Sequence, residues 1–146
     1  MINYAEICVA NLTGVLLMFF LINTRKVNKE DRRIGEWIFD AIRRVGKVLA
    51  NSIADNCIAL RFAGDEFIVL VQTDSREEVD ELIKRIKSNA DKINQSAGKV
   101  YKLEFSLGVS CLSNESNDIE AFVKEMDHNM YIEKEKNHAK EGGLCE

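Results

Sequence analysis

An α+β domain is the fold class that this 146-residue sequence predicts. Three observations lead to it: two short apolar runs flank a tight polar corner, three apolar stripes recur at helical spacing, and one late segment alternates strictly. Apolar residues at 46% and charged residues at 30% are typical of a folded chain, and the length suits one domain.

The first elements each have a distinct signal. Residues 36–50 carry an apolar stripe on one helical face. Residues 57–62 and 67–71 are predicted strands, and the four residues between them are few enough for a hairpin. Ser75 with Glu78 three residues later forms a capping box, which predicts the start of a second helix.

The last elements complete a sheet with helices. Residues 101–109, "YKLEFSLGV", alternate as a strand with one face on a core. Asn117 or Asp118 can cap a last helix, whose apolar stripe is Ile119, Phe122, Val123, Met126 and Met130. If the apolar segment near the N-terminus is also a strand, the order is βαββαβ, a ferredoxin-like sheet with helices on one face.

That apolar segment, residues 7–22, has two interpretations. It contains no charge and approaches the roughly 20 residues that span a bilayer. Basic residues dominate the chain after it, so a span over residues 5–22 would anchor a cytoplasmic domain to the inner membrane. A buried central strand is also a continuous apolar run. The sequence leaves both open.

Charge and cysteines exclude other classes. The net charge of −4 argues against a nucleic-acid binder. The four cysteines are scattered without a C-x-x-C pair or a nearby histidine, which predicts reduced thiols and no zinc site.

The corner between the two predicted strands carries two adjacent acids, Asp65 and Glu66, after Gly64. Carboxylates suit Mg²⁺, which in turn binds substrate phosphates, and a glycine lets a ligand approach the backbone. Taken alone, the stretch is more typical of a polar turn without a ligand than of a binding site.

Four motifs occur in the same order as in one known protein family. The stretch "RFAGDEFIVLV", residues 61–71, resembles the signature of the GGDEF family, the diguanylate cyclases. "FSLGVS", residues 105–110, resembles the late strand written S-I-G-V-A in that family. "MDHNMYIEK", residues 126–134, resembles its terminal A-D-x-A-L-Y-x-A-K helix, and residues 42–53 resemble the helix before the hairpin.

The resemblance implies a domain that condenses two GTP molecules into cyclic di-GMP with Mg²⁺, working as a homodimer or with another GGDEF- or EAL-type signalling partner. It assigns Asp65 to metal binding and catalysis, Glu66 to the second signature acid, Gly64 to a place beside the phosphates and Lys134 to a phosphate contact. Two metals would align a hydroxyl with a phosphate.

Several family features are missing. The first signature glycine is Ala63, and a metal carboxylate expected near residues 22–24 is absent, since no Asp or Glu occurs from Leu12 through Lys29. The base-reading Asn and Asp have no clear counterpart: Asn28 and Glu36 have the wrong spacing.

Counted from the corner, the base-reading acid falls on Phe39, with Asp40 one residue away. An inhibitory R-x-x-D motif is absent at residues 54–57.

We therefore predict three parts: an apolar segment with a basic linker helix (1–41), a GGDEF-like domain (42–140) and a frayed tail (141–146). The favoured hypothesis is a degenerate diguanylate cyclase, weak or inactive, that binds GTP or a partner. An active diguanylate cyclase is the first alternative, and a membrane-anchored interaction domain is the second.

Overall fold

The computed structural model of the protein describes residues 15–22, 34–96, 101–112 and 118–142. These residues form seven elements, which we label in chain order: β1 (Val15–Ile22), α1 (Ile34–Ala50), β2 (Cys57–Ala63), β3 (Glu66–Gln72), α2 (Arg76–Ser96), β4 (Phe105–Leu112) and α3 (Ile119–Gly142). The α+β class and the βαββαβ order with a final helix are confirmed.

The four strands form one sheet in the order β2-β3-β1-β4, in which every pair is antiparallel. The strand interpretation of the apolar segment is therefore confirmed for residues 15–22, and residues 7–14 lie outside the described residues. A strand with neighbours on both sides needs an uncharged run, which "VLLMFFLI" supplies. Within the described ranges, no helix has the length and apolar character needed to cross a membrane.

Helices α1 and α2 pack on one face of the sheet. Their predicted stripes supply buried residues to a core that also includes alternate residues of β3, and its members are Ala41, Val45, Val48, Leu49, Phe67, Val69, Val71, Val79, Leu82, Ile86 and Ala90, with Tyr101, Leu103 and Leu107. Helix α2 begins where the capping box predicts, because the Glu78 amide donates to Ser75 Oγ at 3.2 Å.

Helix α3 packs on the opposite face, so the prediction that all helices share one face is wrong. Its buried residues Phe122, Met126 and Met130 form a second core with Ile68 of β3. The reason is visible in β3, whose apolar run is continuous and so has apolar side chains for both faces. Val123, a predicted member of the stripe, is 45% exposed.

Strand β4 begins later than predicted, at Phe105 instead of residue 101. Tyr101 and Leu103 are buried as the alternation predicts, but their segment is not paired as a strand. The Asn94 side chain of α2 takes the place of a strand neighbour, since it accepts from the Leu103 amide at 2.8 Å and donates to the Leu103 carbonyl at 2.9 Å.

The last helix reaches into the segment predicted as a tail. Helix α3 continues to Gly142, so the first two residues of the predicted tail are helical. The remaining tail residues, 143–146, lie outside the described residues.

Candidate functional site

The acidic corner is the turn of the β2–β3 hairpin. Ala63 pairs with Glu66, so Gly64 and Asp65 are the two turn residues. Gly64 has φ of +46°, a left-handed conformation that two-residue hairpin turns require and that glycine adopts without strain. The three predicted site residues Gly64, Asp65 and Glu66 are thus held at one rigid end of the sheet.

The turn is braced by a side chain of its own hairpin. Arg61 Nε donates a hydrogen bond to the Gly64 carbonyl oxygen at 2.8 Å. The strand register shifts between Arg61 and Ala63, so Phe62 is the extra residue of a β-bulge next to the turn. Asp65 and Glu66 are half-buried, whereas Gly64 and Arg61 are exposed.

The end of β1 lies beside this corner. Leu21 pairs with Glu66 on one side and with Ser106 on the other. Ile22, the next residue and the last of β1, pairs with Phe105 of β4. The neighbouring strand therefore ends in a neutral residue at the position where the family motif implies a carboxylate.

This donor set does not fit a pair of Mg²⁺ ions. Mg²⁺ takes oxygen ligands in near-octahedral geometry, and two ions side by side need several carboxylates to offset their charge. Asp65 and Glu66 are consecutive in one hairpin, and β1 contributes no acid. Among the residues that the structure describes, no three Asp, Glu, His or Cys side chains form a group suited to a metal ion.

Lys134 lies on α3 at the same end of the sheet as the corner. Helix α3 runs antiparallel to β4, because Glu125 meets Ser110, Asn129 meets Val109 and Glu133 meets Leu107 in succession. Its C-terminal half therefore approaches the Phe105 end of β4, which is the end where β1 reaches Ile22. Lys134 is half-buried and two strands away from β3.

Three side chains of α3, those of Glu125, Asn129 and Glu133, form hydrogen bonds with β4. These residues were assigned no role in the sequence analysis. Ser110 Oγ donates to Glu125 Oε2 at 2.6 Å, and Asn129 Nδ2 donates to the Val109 carbonyl at 2.8 Å. The Leu107 amide donates to Glu133 Oε2.

We call these contacts the α3–β4 clasp. A signal for it was present in the sequence, because Asn129 and Glu133 stand at alanine positions of the A-D-x-A-L-Y-x-A-K motif.

The region of the expected base-reading acid is differently organised. Phe39, the counted position, is 63% exposed. The neighbouring Asp40 accepts a hydrogen bond from Tyr101 Oη at 2.5 Å, and its carboxylate lies 3.4 Å from Arg44 Nε. The Arg44 guanidinium also lies over the Tyr101 ring, 5.5 Å from its centroid.

Burial of Tyr101, and then its hydrogen bond to Asp40, raise the pKa of its phenol to about 12. Asp40 therefore ties α1 to the segment before β4.

Comparison with known proteins gives one family and several relatives that match this chain. The profile of the family described as "Diguanylate cyclase, GGDEF domain" matches residues 10–140. The diguanylate cyclase DosC of Escherichia coli strain K12 is 28% identical over 131 residues, which cover 88% of this chain and 28% of DosC. DosC of Shigella sonnei strain Ss046 gives the same identity and coverage. The chain thus spans little more than a quarter of the length of these curated relatives.

Solved structures show the same fold. The GGDEF domain of YfiN, also called TpbB, from Pseudomonas aeruginosa has a TM-score of 0.69 at 19% identity, with 85% of this chain and 78% of that chain covered. The GGDEF domain of DgcB from Caulobacter crescentus, in complex with c-di-GMP, has a TM-score of 0.68 at 16% identity, with 85% and 74% covered. The family profile spans both cores and the hairpin corner, and the chain therefore belongs to the diguanylate cyclase GGDEF domain family.

Proposed function

We propose that this chain is a degenerate GGDEF module of cyclic di-GMP signalling, which binds GTP at the β2–β3 corner and converts it to cyclic di-GMP weakly or not at all. The observation that carries the proposal is the neutral end of β1, where Leu21 pairs with Glu66 and the last strand residue is Ile22. The family reaction depends on metal charge at this point, and the chain has no acid from Leu12 through Lys29.

Electrostatics explains why this absence affects catalysis more than binding. Phosphoryl transfer depends on positioning and on neutralising the charge of the phosphates, which bound metal ions supply in this class of reaction. Asp65 can offer one carboxylate to a Mg²⁺ ion that GTP brings on its own phosphates. A second Mg²⁺ ion lacks its protein carboxylate, so the attacking hydroxyl is expected to stay unactivated.

The features that remain support nucleotide binding. Gly64 is exposed and has no side chain, so a phosphate can approach the backbone of the turn. Lys134 is a cation at the same end of the sheet, where it could offset phosphate charge. We assign Asp65 and Glu66 to the acidic side of this site and Gly64 and Lys134 to the phosphate side.

Recognition of the base is expected to be weak. A guanine-reading carboxylate must accept hydrogen bonds from the base, and the counted position is Phe39. Asp40 is one residue away, but its carboxylate already accepts from Tyr101 and pairs with Arg44. GTP is thus expected to bind with less preference over ATP than in a complete site.

Partners are also part of the proposal. The family reaction needs two GTP-loaded domains facing each other, so a homodimer or a second GGDEF- or EAL-type domain is the expected partner. A module that binds GTP without turning it over would act through such a partner, as a sensor of nucleotide or as a docking domain.

The test is product formation by the purified chain with GTP and either Mg²⁺ or Mn²⁺, followed by chromatography for cyclic di-GMP. We expect little or no product from the wild type. Asp65→Ala is compared with Asp74→Ala, which removes an exposed acid just after β3, at the far end of that strand from the corner. Robust product that is lost in Asp65→Ala and kept in Asp74→Ala would favour the active cyclase and overturn our proposal.

Calorimetric titration then separates the remaining alternatives. We expect GTP to bind the wild type and to bind Asp65→Ala more weakly in the presence of Mg²⁺. A wild type that shows neither product nor GTP binding would contradict the nucleotide role and leave a partner-docking domain.

A further inference from the structure

We propose that Arg61 is a positioning residue for the corner: through its Nε atom it holds the Gly64 carbonyl and so orients the Asp65 amide toward a bound ligand. The effect of Arg61 on nucleotide binding rests on the proposed function above. The effect of Arg61 on the orientation of the turn is independent of that function, and it can be measured without any ligand.

Arg61 contacts the turn through its side chain. Arg61 Nε lies 2.8 Å from the Gly64 carbonyl oxygen, three residues along the chain. The donor is a permanently charged guanidinium, which makes a stronger hydrogen bond than a neutral donor. The bulge at Phe62 places one unpaired residue between Arg61, which pairs with Phe67, and Ala63, which pairs with Glu66.

The Arg61 hydrogen bond also sets the direction of the next amide, because both groups belong to one peptide. The Gly64 carbonyl and the Asp65 amide belong to one peptide unit, which is planar and, in this chain, trans. A trans peptide directs its N–H opposite to its C=O. Holding the oxygen on the Arg61 side therefore directs the Asp65 N–H away from Arg61.

The Gly64–Asp65 peptide can rotate unless a contact restrains it. Gly64 has φ of +46° and nothing within 4 Å of the place where a Cβ would lie, so no neighbouring atom packs against that side of the glycine. Glycine also has the widest backbone freedom of any residue. The Ala63–Glu66 pair closes the turn, and the Arg61 hydrogen bond adds a side-chain restraint on rotation of the Gly64–Asp65 peptide, and hence on the direction in which Asp65 is presented.

Arginine suits this task better than lysine. The guanidinium is planar and uses Nε for the turn, while its charge stays at a corner that contains two carboxylates. Lysine would retain the charge on a flexible stem without the fixed Nε direction. A comparison of the two residues at this position therefore separates orientation from charge.

The experiment is NMR spectroscopy of the whole chain, labelled with ¹⁵N, without nucleotide. In the wild type we expect the Arg61 Nε–H signal to exchange with solvent more slowly than that of exposed Arg43. In Arg61→Lys and Arg61→Gln we expect shifted Gly64 and Asp65 amide signals, because the Gly64–Asp65 peptide loses its guanidinium donor. Arg76→Gln is the control, since Arg76 pairs with Asp80 in α2, at the other end of β3.

Calorimetry with GTP and Mg²⁺ supplies the second readout. Orientation through Nε predicts that Arg61→Lys loses affinity about as much as Arg61→Gln. Unchanged turn signals in Arg61→Lys, or full GTP affinity in that variant, would overturn the inference in favour of a simple charge effect. If the wild type does not bind GTP, the proposed function fails, and the NMR comparison still decides the role of Arg61.

Discussion

Gly108 is the residue on which the contact between α3 and the sheet depends. A Cβ built at this position would lie 2.1 Å from the Met126 carbonyl oxygen and 2.8 Å from both the amide nitrogen and Cβ of Met130. Two of these three atoms are helix backbone, which cannot rotate away as the end of a side chain can. The glycine of the "FSLGVS" motif is therefore required by close packing and has no positive φ to explain it.

We expect Gly108→Ala to lower the free energy of unfolding by about 3 kcal/mol, since α3 must shift to admit a methyl group. Urea denaturation followed by circular dichroism measures this. Gly46→Ala is the matched control: Gly46 is exposed within α1 and has no atom within 4 Å of its Cβ position. That variant should gain about 0.5–1 kcal/mol from helix propensity. Equal effects of the two substitutions would contradict the packing argument.

Tyr101 makes stability depend on alkaline pH. Burial, and then the hydrogen bond to Asp40, raise the pKa of its phenol to about 12 in the folded state, compared with about 10 when unfolded. The unfolded chain thus releases the proton first. The stabilisation is complete below pH 10 and is lost as pH rises through 12.

The difference in unfolding free energy between the wild type and Tyr101→Phe should therefore fall from pH 9 to pH 12, by up to about 2–3 kcal/mol. The subtraction removes the titration of lysines and of the other tyrosines, which both proteins share. Denaturant melts at closely spaced pH values measure it, and a difference that stays constant over this range would refute the raised pKa.

At the scale of elements, the α3–β4 clasp determines where the last helix lies. β4 is an edge strand, so half of its backbone N–H and C=O groups face away from β1. The side chains of Asn129 and Glu133 bond to two of these groups, the Val109 carbonyl and the Leu107 amide. These two backbone groups of the edge strand thus have hydrogen-bond partners. The same contacts bring Lys134, the residue after Glu133, to the end of the sheet that carries the corner.

Glu133→Ala is expected to cost about 1–2 kcal/mol of unfolding free energy, because it leaves the Leu107 amide without its carboxylate partner. Glu133 also lies 3.4 Å from Lys87, but an exposed ion pair contributes little, so Lys87→Ala should cost less than about 0.5 kcal/mol. The exposed Glu135→Ala should be near neutral. A cost for Lys87→Ala as large as that for Glu133→Ala would mean that the ion pair, and not the clasp, is responsible.

At the scale of the whole molecule, the corner is assembled from distant parts of the chain. The turn supplies Asp65, and β1, more than forty positions earlier, supplies the neighbouring strand end. Helix α3 contributes Lys134 from the other face of the sheet. The proposed loss of catalysis is thus a property of the assembly, since the signature loop itself is nearly intact.

This assembly predicts a gain of function. Ile22→Asp adds a carboxylate at the end of β1, one residue after the Leu21–Glu66 pair. We expect it to tighten Mn²⁺-dependent GTP binding by about tenfold, or ~1.4 kcal/mol, and to raise any cyclic di-GMP formation. Ile22→Asn is the control of similar shape without charge. If both variants behave alike, with melting temperatures that show both are folded, the missing carboxylate is not the limiting defect.

Much of the fold was predictable because its signals are local. The stripes of α1 and α2, the capping box at Ser75 and the hairpin at residues 63–66 depend on neighbours within a few positions of each other, although the structure pairs Ala63 with Glu66 and so leaves two turn residues where the sequence predicted four. The same holds for the signature acids Asp65 and Glu66, whose presence in one turn follows from the hairpin alone.

The sequence by itself thus determined the class of the fold, the order of the elements after the first apolar segment and the family, because periodicity and ordered motifs survive in one dimension. Only the tertiary structure decided that residues 15–22 are a central strand, that α3 covers the opposite face, and that Asn94 replaces a strand neighbour for Leu103. These are contacts between segments far apart in the chain. Their energies depend on which surfaces meet, and that information is not contained in any single segment.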